Sequence, residues 1–209
     1  MWKTLRYSNE KGVVIQHEKI ETREQELAEQ YIEPEDCVLE LGARYGTVSC
    51  CTNKKLNHKH HHVVVEPDSR VWDALEANKT YNECEFFIVK GFVSKKKHSL
   101  YNLHAGGAGY ATKSKEDENS TLYSIGLDEL QMSLHLRFTV LIADCEGFLE
   151  TFLDENPFFL DQLRCILFEK DYPKLCDYEK IKKSLREKGF VQEVDGFHEV
   201  WLRKSAIEQ

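Results

Sequence analysis

Five short apolar runs frame this chain: Cys37–Leu41, Val63–Glu66, Phe86–Val89, Phe138–Ala143 and Cys165–Phe168. Each has the length of a strand and is apolar almost throughout, the pattern of strands covered on both faces. The segments between them read as helices over Thr47–Asn57, Arg70–Asn78, Leu127–Leu134, Glu146–Asp154 and Tyr178–Lys188, with Gly189 closing the last. A further helix is predicted over Ile20–Tyr31, where Ile20, Leu27 and Tyr31 share one side and Pro34 stops the run. Strand–helix alternation at this spacing predicts an α/β fold, a mostly parallel sheet with helices on both faces. Gly12–Gln16 reads as a short strand, and Phe190–Val194 with Glu199–Arg203 as a closing antiparallel hairpin.

With 209 residues and 41% hydrophobic content the chain can bury a sizeable core. The division expected is an N-terminal extension over 1–34, a short strand and helix, followed by one domain over 35–209. Asp plus Glu outnumber Lys plus Arg by 36 to 28, a net charge of −8, which argues against a nucleic-acid partner. No apolar stretch reaches membrane-spanning length, and no signal-peptide core opens the chain. The seven cysteines are odd in number and lack a C-x-x-C pair, a usage expected of reduced thiols in a cytoplasmic protein. Cys145, beside an acidic motif, reads as a core residue before it reads as a nucleophile.

Phe92–Ser120 is harder to read. It carries Lys95-Lys96-Lys97, the glycine run Gly106-Gly107-Ala108-Gly109 with His104 nearby, and the polar run Lys113–Ser120. The expectation is one or two strands with long mobile loops, the polar run among them. His58, His60, His61 and His62 read as a solvent loop before the second strand, away from any site.

In open parallel sheets ligands bind beyond the carboxyl ends of the strands. The first of these ends reads Glu40-Leu41-Gly42-Ala43-Arg44-Tyr45-Gly46. Its glycines let the backbone approach a ligand, but the third glycine of a dinucleotide fingerprint is missing. Glu40 would repel a phosphate and attract a cation such as an amino-acid ammonium. The second strand ends at Glu66, placed to accept ribose hydroxyls. Together they suggest a nucleoside ligand with a neutral or positive tail, which S-adenosylmethionine fits. The fourth strand ends in Asp144-Cys145-Glu146-Gly147 and the fifth in Glu169-Lys170-Asp171. These carboxyl groups could take a proton or hold a divalent ion.

The set Leu39–Gly46, Val64–Asp68, Leu127-Asp128-Glu129-Leu130, Ile142–Gly147 and Ile166–Glu169 resembles the FkbM-type S-adenosylmethionine-dependent methyltransferases over roughly residues 35–200. The resemblance implies a Rossmann-like class I methyltransferase fold, a seven-stranded sheet with one antiparallel strand. It implies Glu40, Gly42 and Gly46 at the methionine part of the cofactor, Glu66 at the ribose, and Gly91 and Phe92 at the adenine. Asp144 and Glu146 would face the methyl-transfer centre, with a divalent metal possible on Asp144 and a neighbour. The implied activity is O-methylation of a hydroxyl on a small molecule, a sugar or a glycan, and a homo-oligomer is possible. Arg44 and Tyr45 depart from the small turn usual in that family.

Three rivals stand beside this reading. A nucleic-acid N-methyltransferase would carry an Asn/Asp-Pro-Pro-aromatic element where this chain has Asp144-Cys145-Glu146-Gly147. A dehydrogenase is weakened by the missing glycine. A non-catalytic binding module has no need of carboxylates at three strand ends.

Overall fold

The computed structural model describes residues 2–16, 19–102 and 112–204. In chain order the elements are β1 (Tyr7–Ser8), β2 (Val14–Ile15), α1 (Thr22–Tyr31), β3 (Val38–Leu41), α2 (Thr47–Lys55), β4 (His62–Val65), α3 (Trp72–Tyr81) and β5 (Phe87–Val89). They continue with β6 (Gly91–Val93), β7 (His98–Asn102), β8 (Thr112–Glu116), β9 (Tyr123–Ile125), α4 (Leu127–Leu134), β10 (Val140–Ala143) and α5 (Leu149–Glu155). The last elements are α6 (Phe159–Gln162), β11 (Cys165–Glu169), α7 (Tyr178–Glu187), β12 (Phe190–Val194) and β13 (His198–Arg203).

The central sheet has seven strands in the order β12-β13-β11-β10-β3-β4-β5. β13 runs antiparallel to both β11 and β12, and the pairs from β11 through β5 are parallel. β3, β4 and β10 are buried along their whole length, as their apolar runs require. Side-chain alternation divides the core in two. Leu39, Leu41, Val63, Leu141 and Ile166 meet α4 to α7 through Leu130, Leu149, Phe152, Leu160 and Leu185. Val38, Val64, Val140 and Leu167 meet α1 to α3 through Leu27, Ala28, Cys51 and Leu75. Trp2, Leu5 and Tyr7 sink into this second core, so the segment expected as an extension packs directly on the sheet domain.

All seven cysteines are free, and every one but Cys145 is buried. No helix among the described residues is long and apolar enough to cross a membrane.

Two expectations are corrected. Lys113–Glu116, read as part of a mobile polar run, belongs to β8, which pairs antiparallel with β7 from Thr112 to Glu116. Lys113 is buried, its ammonium 3.1 Å from the centre of the Tyr172 ring. Lys113-Ser114-Lys115-Glu116 is polar on both faces, so a period-2 hydrophobic test misses it, although Lys113 is buried. His62 is no solvent-loop residue: it starts β4 and is fully buried. His104 and the glycine run at 106–109 lie outside the described residues.

Candidate functional site

The chain runs outward from β3 through β4 to β5, then returns to the other side of β3 as β10. The strand order therefore switches between β3 and β10, and a crevice lies just beyond their packed carboxyl ends. The turn after β3 holds it open. Gly42 has φ +88° and sits so close to the next strand that a Cβ there would lie 1.6 Å from the Asp144 carbonyl oxygen. Arg44 and Gly46 also take positive φ, and Gly46 leads into α2.

A cavity of about 340 Å³ fills this crevice, large enough for a small-molecule ligand. Gly42, Glu66, Phe92, Asp144 and Glu146 line it, five of the eight residues expected at the site. Its remaining wall includes Arg44, Asp68, Leu100, Thr112, Ser114 and Phe148. Glu66 is 6% exposed, and both of its oxygens are held by main-chain donors. The Arg44 N–H donates to Oε2 and the Asp68 N–H to Oε1, each at 2.7 Å. Burial nevertheless pushes its carboxyl up to about 7, because desolvation outweighs those bonds. Asp68 is clamped by Arg70 and accepts from the Thr112 hydroxyl at 2.9 Å, which ties β8 to the cavity rim.

Three expected residues do not line this cavity. Glu40 lines a smaller neighbouring pocket with Gly42, Asp144 and Glu169 on the α1–α2 side of the sheet, and is 2% exposed. Ser49 Oγ donates to its Oε1 at 2.6 Å, and its Oε2 meets His62 Nε2 at 3.1 Å. Alternation along β3 turns Leu41 to the cleft and Glu40 away from it. Gly46 instead allows close packing, since a Cβ there would lie 2.7 Å from Leu75 Cδ1. Gly91 does the same where β6 pairs with β9, with a Cβ position 2.2 Å from the Tyr123 carbonyl oxygen.

Beyond the cavity a more open groove runs past Asp144 and Glu146 to Glu169, walled by Lys19–Glu24, Arg44, Phe197 and His198. Its floor is rich in carboxyl groups. Burial, then repulsion from Glu169, Glu21, Asp171 and Glu146, holds the Asp144 carboxyl well above the usual range. Burial and the neighbouring Asp171 push Glu146 up to about 8. The Cys145 thiol is driven well above its ordinary value by burial and by Asp171 and Asp144, so no thiolate nucleophile is prepared there. His198 bridges Glu24 Oε1 at 2.8 Å and Glu169 Oε2 at 3.0 Å, and these two bonds raise it to about 9.

The sequence reading did not anticipate Arg44, Thr112, Ser114 or Phe148 as lining residues. They reach the cavity from a strained turn, from β8 and from the start of α5. The one local signal was the unusual Arg44-Tyr45 in the turn after β3.

No family model and no curated protein matches the sequence. Solved structures do match. The chain is similar to precorrin-6y C5,15-methyltransferase from Geobacter metallireducens GS-15, at 12% identity and TM-score 0.55, covering 90% of this chain and 88% of that one. It is similar to a ribosomal protein L11 methylase from Lactobacillus delbrueckii subsp. bulgaricus, at 14% identity and TM-score 0.52, covering 88% and 79%. It is also similar to an O-methyltransferase from Bacillus cereus in complex with SAH, at 12% identity and TM-score 0.51, covering 87% and 79%. At such identities the likeness is one of fold: the Rossmann-like architecture of the class I methyltransferases.

Proposed function

We propose that this protein is an S-adenosylmethionine-dependent methyltransferase that transfers the methyl group to a hydroxyl of a small, hydroxyl-rich acceptor of the sugar or glycan class, in the manner of the FkbM-type enzymes. The observation that carries the reading is the convergence of Gly42, Glu66 and Asp144 on one cavity at the switch point. Gly42 lets the methionine part approach the backbone. Glu66 retains acceptor capacity for two ribose hydroxyls, since each oxygen uses a single main-chain donor. Phe92, Leu100 and Phe148 supply an apolar slot for the adenine. The Arg44 guanidinium, at the rim, suits the cofactor's carboxylate.

Asp144 then faces the methyl-transfer centre from the end of β10, and the acceptor enters along the acidic groove beside it. Methyl transfer is a direct displacement, so alignment of oxygen, methyl carbon and sulfur is the main task; good positioning supplies roughly 7–11 kcal/mol. Once ionised, the Asp144 carboxylate would receive the hydroxyl proton, and burial with the surrounding carboxyl groups raises its affinity for that proton. The acidic floor disfavours a polyanionic acceptor such as RNA.

Calorimetry with S-adenosylhomocysteine, and methyl-transfer assays across sugars, phenols and RNA, test the reading. Binding of S-adenosylhomocysteine with turnover on a hydroxylated small molecule is expected. Binding of NAD in its place, or turnover confined to RNA, overturns it.

A further inference from the structure

We propose that Phe197 is a specificity-determining residue: the platform on which a sugar ring of the acceptor packs while its hydroxyl points toward Asp144. The inference deepens the methyl-transfer reading and rests on it for the reaction the bound sugar undergoes. Phe197 stands at the tip of the β12–β13 hairpin, directly before β13, and lines the same groove as Asp144, Glu146 and Glu169. That groove encloses about 500 Å³, within the range of small-molecule sites. The side chain is 57% exposed. A single exposed apolar side chain is ordinary on a protein surface. Tyr81, Tyr123, Met132 and Phe158 are exposed too, but none of them lines the cavity or the groove.

The second observation is that the ring is held in place. The Phe197 carbonyl accepts from the Lys170 N–H at 2.8 Å, which fastens the hairpin tip to the end of β11. Gly196, at φ +152°, forms the turn before it. The phenyl ring makes a T-shaped contact with the His198 imidazole, at 5.1 Å between centres and 84° between planes. His198 is fixed in turn by Glu24 at 2.8 Å and Glu169 at 3.0 Å. An exposed aromatic ring is thus seated on the groove wall, where an occupant that covers it gains apolar burial without first ordering it.

A sugar ring has two kinds of surface. Its C–H groups make an apolar face that packs on an aromatic ring, and its hydroxyls donate to carboxyl oxygens. Phe197 offers the first partner, and Glu24, Glu169 and Asp144 offer the second along the same groove. A phenol would also stack on Phe197, but its single hydroxyl uses one of these acceptors where a sugar uses several.

Saturation-transfer NMR on the full chain, with S-adenosylhomocysteine present, tests the platform. The probes are methyl β-glucoside, methyl β-galactoside and methyl α-mannoside, with phenol and sorbitol beside them. At least one glycoside should bind, with saturation strongest on its ring C–H protons. Phe197→Ala should weaken that binding at least about 10-fold, the scale of one buried aromatic side chain, and Phe197→Tyr should restore it. Sorbitol, which carries hydroxyls without a ring face, should show a similar deficit on the wild type. Phe158→Ala, outside the groove, should change nothing. S-adenosylhomocysteine affinity should be the same in Phe197→Ala, because Phe197 does not line the cofactor cavity. A wild-type melting curve shows that the variant is folded; should it melt early, Phe197→Leu, which keeps apolar bulk and loses the flat face, carries the comparison. No saturable binding of any glycoside up to about 50 mM, well above the millimolar scale of a weak complex, overturns the proposal. So does glycoside binding undiminished in the variant, or binding of phenol alone. If a glycoside binds through Phe197 and S-adenosylhomocysteine does not bind, the platform stands and the methyl-transfer reading falls. If S-adenosylhomocysteine binds and no glycoside does, the platform falls and methyl transfer to another acceptor remains.

Discussion

Gly42 and Asp144 meet backbone to backbone across the switch point: a Cβ on Gly42 would lie 1.6 Å from the Asp144 carbonyl oxygen. The turn that admits a ligand and the strand end that carries the candidate catalytic carboxylate are thus one packed unit. Their registers are tied by the parallel pairing of Leu41 with Ala143 and by the Asp144 N–H donating to the Leu41 carbonyl at 3.0 Å.

Gly42→Ala should therefore be severely destabilising. The new methyl overlaps a main-chain oxygen that cannot rotate away, and φ +88° is strained for any L side chain. A loss of at least about 3 kcal/mol is expected, which at this chain length lowers the melting temperature by roughly 6–12 °C. A melting curve within 2 °C of wild type, on the scale of about 1 kcal/mol, would show that β3 and β10 can separate freely here.

Asp144→Asn keeps the shape of the side chain and removes its charge. Turnover should fall about 10²-fold or more, the usual scale for a positioned proton acceptor. S-adenosylhomocysteine affinity should change little, since Gly42 and Glu66 are untouched. Near-normal turnover with intact cofactor binding would reduce Asp144 to a structural group.

Much of this site was legible because strand ends are local features. Glu66 and Asp144 each follow an apolar run directly, with Glu146 two residues further on, so sequence alone places them at the carboxyl edge of the sheet. Glu40 was harder to place because it lies within its strand, where alternation decides which face a side chain takes; it faces the smaller pocket on the α1–α2 side, beside Gly42 and Asp144. Thr112, Ser114 and Lys113 were missed for another reason: β8 is polar on both faces, so the strand shows no hydrophobic alternation. Asp171 and Glu169 were visible as carboxylates near the site. Their approach to Asp144 depends on the register of β10 with β11, which no single-sequence pattern encodes.

The β7–β8 hairpin should behave as an ordered element. Its ladder runs from His98 paired with Glu116 to Asn102 paired with Thr112, and Asp68 and Tyr172 grip it through Thr112 and Lys113. Hydrogen exchange at 113–116 should be markedly slower than in the polar turn at 117–120. Lys113→Ala removes a desolvated cation–π contact worth about 2 kcal/mol and should speed exchange along β8. Exchange at the solvent rate in wild-type β8 would restore the picture of a mobile loop.

The last prediction concerns Glu66 and pH. Its neighbours are the Arg44 N–H and guanidinium from the turn after β3, Asp68 in its own loop, and Asp144 and Glu146 across the cavity. Burial raises its carboxyl to about 7 from its ordinary 4.5. The neutral form is therefore favoured by folding, and the stability it contributes is complete below about pH 4.5. That stability is lost as pH rises through 7. Ribose hydroxyls donate best to the ionised form, so cofactor affinity follows the opposite course and strengthens over the same window. The dissociation constant of S-adenosylhomocysteine should rise by about 10-fold between pH 8 and pH 6, as expected for one ionisation near 7. Glu66→Gln should lose roughly 10–150-fold in affinity at pH 8, the worth of a charge-assisted bond of about 1.5–3 kcal/mol. The deficit should shrink by pH 6, where wild type has also lost its charge. Calorimetry on both proteins at the two pH values decides the matter. A deficit that is the same at pH 6 and pH 8 would show that Glu66 binds the cofactor without its charge, or not at all.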